Sequence, residues 1–92
     1  MINGDLNDFI DKLTYGDEVL FTYKGNKYFI QGYKKNGICT LYLSQFEPPI
    51  DWYIWTCSRE SKLQPVDEFL SAPIWDGKSF LEIEGGVEWV DE

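Results

Sequence analysis

Two short turn sequences constrain the fold of this chain more strongly than any other feature. Gly25-Asn26 and Asn36-Gly37 each separate stretches that are rich in β-branched and aromatic residues. Glycine and asparagine tolerate the positive φ angles that two-residue hairpin turns require. The pattern therefore predicts three consecutive antiparallel strands, at residues 18–24, 27–35 and 38–44.

The predicted turns also set the register of the strands. If each loop has two residues, Tyr23 lies opposite Tyr28. By the same count, Ile30 lies opposite Phe21 on one side and opposite Leu43 on the other. The face that contains these side chains is apolar and is the predicted core face: Val19, Phe21, Tyr23, Tyr28, Ile30, Leu41 and Leu43.

Helices are predicted at both ends of the chain. Apolar residues at positions 6, 9, 10 and 13 follow helical spacing, so residues 5–14 read as an amphipathic helix. The run 52–57 is apolar on both sides and predicts a strand that is covered on both faces or placed centrally, followed by a polar loop at 58–64. Pro65 and Ser79 favour the starts of two short helices, and residues 87–90 predict a closing strand.

The order of these elements predicts an α+β fold in one globular domain, residues 1–92. We expect an antiparallel four- to five-stranded sheet built from hairpins, with the N-terminal helix and two short C-terminal helices packed on one face. Cys39 and Cys57 lie in separate apolar runs, which favours free thiols. No apolar run is long enough to cross a membrane, and the acidic start lacks the order of a signal peptide, so we expect a cytoplasmic protein.

Acidic residues are concentrated at the two ends of the chain. Residues 1–20 carry five carboxylates and one lysine, for a net charge of −4, and residues 65–92 carry eight carboxylates and one lysine, for −7. Residues 21–64 carry three carboxylates and six cations, for +3, and the whole chain has a net charge of −8. A surface selected only for solubility mixes its signs more evenly. The distribution therefore predicts one strongly negative surface and one neutral to basic surface.

The residue content argues against catalysis. Histidine is absent, which removes the commonest general base and zinc ligand. No serine or cysteine has a partner base, and no glycine-rich phosphate-binding pattern or calcium-loop pattern is present. We therefore expect a non-enzymatic protein with no catalytic residues, no cofactor and no metal.

Several stretches of the chain resemble known proteins. Residues 23–30, 52–54, 66–83 and 87–91 are similar to short acidic uncharacterised proteins of Gram-positive bacteria and of their phages and mobile elements. The resemblance implies a small accessory protein. Among accessory proteins of that origin, nuclease inhibitors, anti-CRISPR proteins and immunity proteins are frequent, and many of them are acidic.

These observations lead to a first functional hypothesis, a protein-binding module that masks a basic surface of a nuclease or defence complex. Opposed electrostatic potentials speed association and set specificity, and tryptophan is frequent at interface hot spots. Trp75 and Trp89 are candidate anchors because both lie in the acidic C-terminal third. The residues expected to bind the partner are Asp67, Glu68, Glu82, Glu84, Glu88 and Trp89, with Asp5, Asp8 and Asp11 as a second set.

The solvent-facing side of the predicted sheet supports two alternatives. Sheets that bind single-stranded nucleic acids stack bases on exposed rings beside cations. Here the corresponding residues are Phe29, Tyr33, Tyr42, Lys34 and Lys35. The net charge of −8 disfavours such a polyanionic partner. The second alternative is a homodimeric accessory protein joined through the same aromatic face, so the chain is expected to be a monomer or a homodimer without membrane contact.

Overall fold

A computed structural model of the chain describes residues 1–90, and Asp91 and Glu92 of the acidic C-terminal segment lie outside the described residues. The first half contains one helix and three strands: α1 (Leu6–Thr14), β1 (Val19–Tyr23), β2 (Asn26–Lys35) and β3 (Ile38–Glu47). The second half contains β4 (Trp55–Glu60), α2 (Val66–Ser71), α3 (Phe80–Ile83), a 3-10 turn (Glu84–Gly86) and β5 (Glu88–Val90). The predicted α+β class and element order are confirmed.

The strands form one five-stranded antiparallel sheet with the order β4-β3-β2-β1-β5. The second hairpin turns at Asn36-Gly37, with φ angles of 53° and 79°, as predicted. The first hairpin turns one residue earlier than predicted, at Lys24-Gly25, with φ angles of 50° and 81°. Both turns place glycine second, where the larger positive φ is least costly without a Cβ.

The earlier turn corrects the register between β1 and β2. Phe21 lies opposite Tyr28 rather than Ile30, and Val19 takes the place opposite Ile30. The correction is a shift of two residues, which leaves every side chain on its predicted face because side chains alternate with a period of two. The register of Ile30 with Leu43 is confirmed.

The core lies between one face of the sheet and the three helices, as the alternation predicts. Phe9 of α1, Phe69 of α2 and Phe80 of α3 are all fully buried. The rings of Phe9 and Phe80 stack at 5.1 Å, and those of Phe69 and Phe80 lie 5.2 Å apart. The predicted core face of the sheet is buried except for the partly buried Tyr23. We call the opposite face of the sheet the open face.

The strand predicted at 52–57 is confirmed only from residue 55 onward, and its predicted covered or central position is wrong. β4 begins at Trp55 and includes three residues of the predicted polar loop, and it lies at an edge of the sheet rather than under cover. Trp52 and Tyr53 belong to the preceding loop, with 72% and 57% of their surfaces exposed. An aromatic run without clear alternation indicates neither which residues pair nor which are covered.

The helix ends follow the expected chemistry. The Asp5 carboxylate accepts a hydrogen bond from the Asn7 N–H at the start of α1. At the start of α3, Ser79 and Glu82 form a reciprocal capping box. Both cysteines are free thiols. Within residues 1–90, no helix has the length and apolar character needed to cross a bilayer.

Candidate functional site

The two acidic segments of the chain lie side by side. The amino group of Met1 forms an ion pair with Glu84, and the Ile2 N–H donates to the Val87 carbonyl over 2.9 Å. At the other end of α1, the Gln64 N–H donates to the Thr14 carbonyl at the start of the segment that leads into α2. The first helix is therefore held against the C-terminal third at both of its ends.

The outer side of the three helices carries most of the predicted acidic residues. The buried side chains of each helix face the sheet, so its charged residues take the opposite side. We call this surface the acidic helical surface. Its carboxylates are Asp8, Asp11, Asp67, Glu68 and Glu82 on the helices, with Asp5 at the start of α1 and the partly exposed Glu84 just after α3.

Several of these carboxylates also have a local structural role. Asp5 caps α1, and Glu84 pairs with the Met1 amino group. Glu68 accepts from Arg59 at 2.9 Å. The Ser79 N–H donates to Glu82 and, with the Ser79 hydroxyl and the nearby Lys78, holds the pKa of Glu82 below its ordinary value.

The remaining three carboxylates have no such local role within residues 1–90. Asp8, Asp11 and Asp67 are exposed, and none forms a salt bridge within the described part of the chain. An exposed carboxylate without a partner keeps its full charge available to an approaching cation.

Two predicted residues of the acidic set lie elsewhere. Glu88 pairs with Thr22 at the β1–β5 register and therefore belongs to the open face. Trp89 is partly buried under α1, with its ring 5.6 Å from that of Phe9. Its accessible part lines a cleft of about 340 Å³ with Asn3, Gly4 and Lys12.

Trp75, the other tryptophan of the acidic third, is a core residue. It is only 9% exposed, and its ring packs at 6.0 Å against both Tyr28 and Phe80. This burial removes it as an interface anchor. No periodic pattern in the sequence includes Trp75, because this residue follows Ala72-Pro73 outside any helix or strand pattern.

The open face of the sheet carries a connected cluster of rings. Tyr42 lies at its centre, with its centroid 6.1 Å from those of Phe29 and Tyr33 and 4.7 Å from that of Tyr53. Phe46 extends the cluster, 6.2 Å from Phe29. Tyr33 and Phe46 are 54% and 41% exposed. We call these five residues the open-face ring cluster.

Tyr42 is also the polar centre of this cluster. Its hydroxyl donates to the side-chain oxygen of Gln31 on the neighbouring strand. Burial raises the pKa of Tyr42 above the ordinary tyrosine value, and the nearby Tyr53 and Glu18 raise it further. The phenol is therefore a neutral hydrogen-bond donor at physiological pH.

The lysines of the hairpins do not surround the ring cluster. Lys34 pairs in register with the buried Cys39 and so lies on the helix side of the sheet, whereas Lys35 shares the parity of Tyr33 on the open face. Lys27 forms an ion pair with Glu47 at 3.1 Å. The predicted aromatic and lysine site is thus brought together only in part.

Tyr53 and Phe46 were missing from the predicted aromatic site. The register of β2 and β3 shifts between Lys27 and Tyr28, which leaves Phe46 as an extra residue between Gln45 and Glu47. Phe46 nevertheless continues the alternation of Tyr42 and Ser44 along β3, and it falls outside the predicted aromatic face because that strand was predicted to end at residue 44. Tyr53 reaches the face from a loop, where alternation gives no information.

No site for a metal is evident in the described part of the chain, where no three histidine, cysteine or acidic side chains cluster. Comparison with protein-family models, with curated proteins and with solved structures gave no match. The acidic helical surface and the open-face ring cluster are therefore the two candidate functional sites.

Proposed function

We propose that this protein is a non-catalytic binding module whose acidic helical surface docks on a basic surface of another protein. The observation that carries the proposal is the packing of α1 against the C-terminal third, which gathers carboxylates from both acidic segments on one side of the fold. Exposed Asp8, Asp11 and Asp67 supply charge that no residue within 1–90 neutralises by a salt bridge.

Electrostatics makes such a surface suited to fast and selective association. At an ionic strength of 0.1 M, charges act over a Debye length of about 10 Å, so grouped carboxylates reinforce one another before contact. Complementary potentials raise association rates above the unsteered range and penalise partners of like charge. A basic groove that normally holds DNA or RNA offers the complementary potential. We therefore propose a nuclease or a nucleic-acid-binding defence complex as the partner class and an inhibitor or immunity role for this chain.

Capture from a bacterial lysate with and without nuclease treatment tests the partner class. The immobilised protein is expected to retain a basic protein after nuclease treatment and to release it at high salt, because surface charge pairs are screened. Loss of all bound material on nuclease treatment would contradict the proposal and favour nucleic-acid binding through the open face.

A pair of matched double variants then tests the surface. Asp8→Asn with Asp67→Asn removes two charges from the acidic helical surface, and Glu18→Gln with Glu88→Gln removes two exposed charges outside it. With the captured protein, the first pair is expected to lower the association rate several-fold at about 20 mM salt and little at about 0.5 M. An equal decrease in association rate with both pairs would mean that only the net charge of the protein matters, and would contradict a localised binding site.

The open-face ring cluster favours a second candidate function, stacking of single-stranded nucleic acid. Tyr33 and Tyr53 expose enough ring surface to stack with bases. The charges of the face oppose it. Lys27 is paired with Glu47. Glu60 and Glu88 lie with Lys35 on the open face, and the charge of Glu18 acts on Tyr42. Quenching of tyrosine fluorescence by an oligonucleotide at about 50 mM salt would support this candidate, with a steep loss of affinity as salt rises.

A further inference from the structure

The two edge strands of the sheet, β5 and β4, differ in whether their outward-directed backbone groups form hydrogen bonds. At the β5 edge, the Asn3 side-chain amide donates to the Trp89 carbonyl and its oxygen accepts from the Trp89 N–H, both over 2.7 Å. The Ile2 N–H also donates to the Val87 carbonyl. One asparagine side chain thus takes the place of a neighbouring strand, and the N-terminal residues close this edge.

Among the described residues, 1–90, none covers the β4 edge in this way. The Ser61 N–H donates to the Gly37 carbonyl, which places the odd-numbered residues of β4 in the hydrogen-bonded pairs with β3. By alternation, Thr56, Ser58 and Glu60 direct their backbone N–H and C=O groups away from the sheet. Within residues 1–90, no turn, loop or side-chain group hydrogen-bonds to the backbone of these three residues.

An open edge of this kind is a template for another strand. Natural proteins protect edges with proline, with bulges, with charges or with covering segments. β4 contains no proline, its register with β3 is regular over all six residues, and its open-face side chains include the small Thr56 and Ser58. Arg59 is turned to the helix side, where it binds Glu68 and the Gln64 carbonyl.

We infer that β4 pairs antiparallel with β4 of a second copy of this chain, with Ser58 opposite Ser58 of the partner subunit. In this register, Thr56 lies opposite Glu60 of the partner subunit, so every outward-directed residue of the strand gains a hydrogen-bonded partner. Cys57 lies opposite Arg59 of the partner subunit. No pair of directly opposed residues carries like charge.

Neighbouring registers are less favourable. A shift of one residue would place residues whose backbone N–H and C=O groups point outward opposite residues whose groups point toward β3. No continuous set of hydrogen bonds between the two β4 strands could then form. Centring the pair on Arg59 would oppose two guanidinium groups, which destabilises a cross-strand pair. Centring it on Cys57 would leave Glu60 opposite Ile54, outside the regular strand. Self-complementarity of the charges therefore selects a second copy and one register.

The pairing joins the two sheets into one, with the two-fold axis perpendicular to the sheet. Both acidic helical surfaces then lie on one side of the dimer and both ring clusters on the other. The inferred dimer does not depend on the proposed function. The two interactions are distinguished by their opposite dependence on salt concentration. Dimerisation of copies that each carry a net charge of −8 is expected to strengthen as salt rises, whereas binding to a basic partner weakens.

Sedimentation equilibrium of the whole chain, with Ser58→Pro and Ser58→Ala, tests the inference. Proline removes an N–H that points out of the sheet and leaves the β3–β4 hydrogen bonds in place, so the monomer is expected to fold. Both substitutions remove the 2.8 Å hydrogen bond between the Ser58 and Thr40 hydroxyls, which makes alanine the matched control. We expect concentration-dependent dimers for the parent chain and for Ser58→Ala, and at least a tenfold weaker association for Ser58→Pro.

Two results would overturn the inference. One is a parent chain that remains monomeric at about 1 mM protein and about 0.5 M salt. The other is an unchanged dimer in Ser58→Pro, which would move the contact to another surface such as the ring cluster. Amide hydrogen exchange of the parent chain checks the position without any variant. Protection at Thr56, Ser58 and Glu60 is expected to increase with protein concentration, and unchanged protection in a dimer would exclude the β4 edge.

Discussion

The two faces of the sheet are built from the same strands and differ in what covers them. On the helix side, Phe21, Ile30 and Leu41 are fully buried. On the open face, Tyr33 keeps 54% of its surface exposed although it lies only three residues from Ile30. The comparison shows that ring content alone does not define a core. A layer of helices makes one aromatic face the core and leaves the other as surface.

The two sides of the sheet also differ in charge. The helices that cover the core are acidic on their outer side, so the acidic helical surface lies directly above the buried aromatic core. The more basic central segment supplies the open face and its hairpins, but its lysines are divided between two sides of the sheet. The molecule therefore has an acidic side and an aromatic side rather than an acidic side and a basic one.

The largest expected difference between the two faces is in stability. Phe80→Ala removes a fully buried ring that contacts the rings of Phe9, Phe21 and Phe69, and we expect it to lower the free energy of unfolding by about 3–5 kcal/mol. Tyr33→Ala removes a half-exposed ring, with an expected loss of about 1 kcal/mol or less. Urea unfolding of both variants measures the contrast, and similar losses would mean that the open face is covered in solution.

A smaller effect is expected at the polar centre of the open face. Tyr42→Phe removes the hydroxyl that donates to Gln31 but keeps the ring against Tyr53, so we expect a loss of about 0.5–1.5 kcal/mol in unfolding free energy. Tyr33→Phe is the matched control, because the Tyr33 hydroxyl makes no side-chain hydrogen bond within residues 1–90. A loss in Tyr33→Phe as large as that in Tyr42→Phe would contradict the role of the hydroxyl bond to Gln31.

The smallest effect is expected on the acidic helical surface and depends on pH. The pKa of Glu82 is lowered in the folded state, so its ionised form stabilises the fold above the ordinary glutamate pKa. This contribution is lost as the pH falls through the folded-state pKa. Glu82→Gln keeps a side-chain oxygen for the Ser79 N–H and is expected to flatten the fall in melting temperature below about pH 5. Identical melting temperatures across this pH range for the parent chain and Glu82→Gln would show that ionisation of Glu82 does not stabilise the capping box.

Local chemistry explains why so much of the fold was predictable. Asn36-Gly37 fixed one hairpin and its register, and the spacing of Phe9 and Leu13 identified the buried side of α1. The error at Lys24-Gly25 was small because a two-residue shift preserves the faces. The site was less predictable, since Phe46 lies beyond the predicted end of β3 at residue 44 and Tyr53 lies in a loop.

The sequence by itself determined the α+β class, the alternation of the two faces and the concentration of acid at the two chain ends. These follow from turn residues, hydrophobic periodicity and composition, which act over a few residues along the chain. Only the tertiary structure decided that the acidic ends adjoin, that Trp75 is core while Tyr33 is surface, and that Asn3 closes one sheet edge while β4 stays open. Each of these depends on contacts between residues far apart in the chain, which no local pattern records.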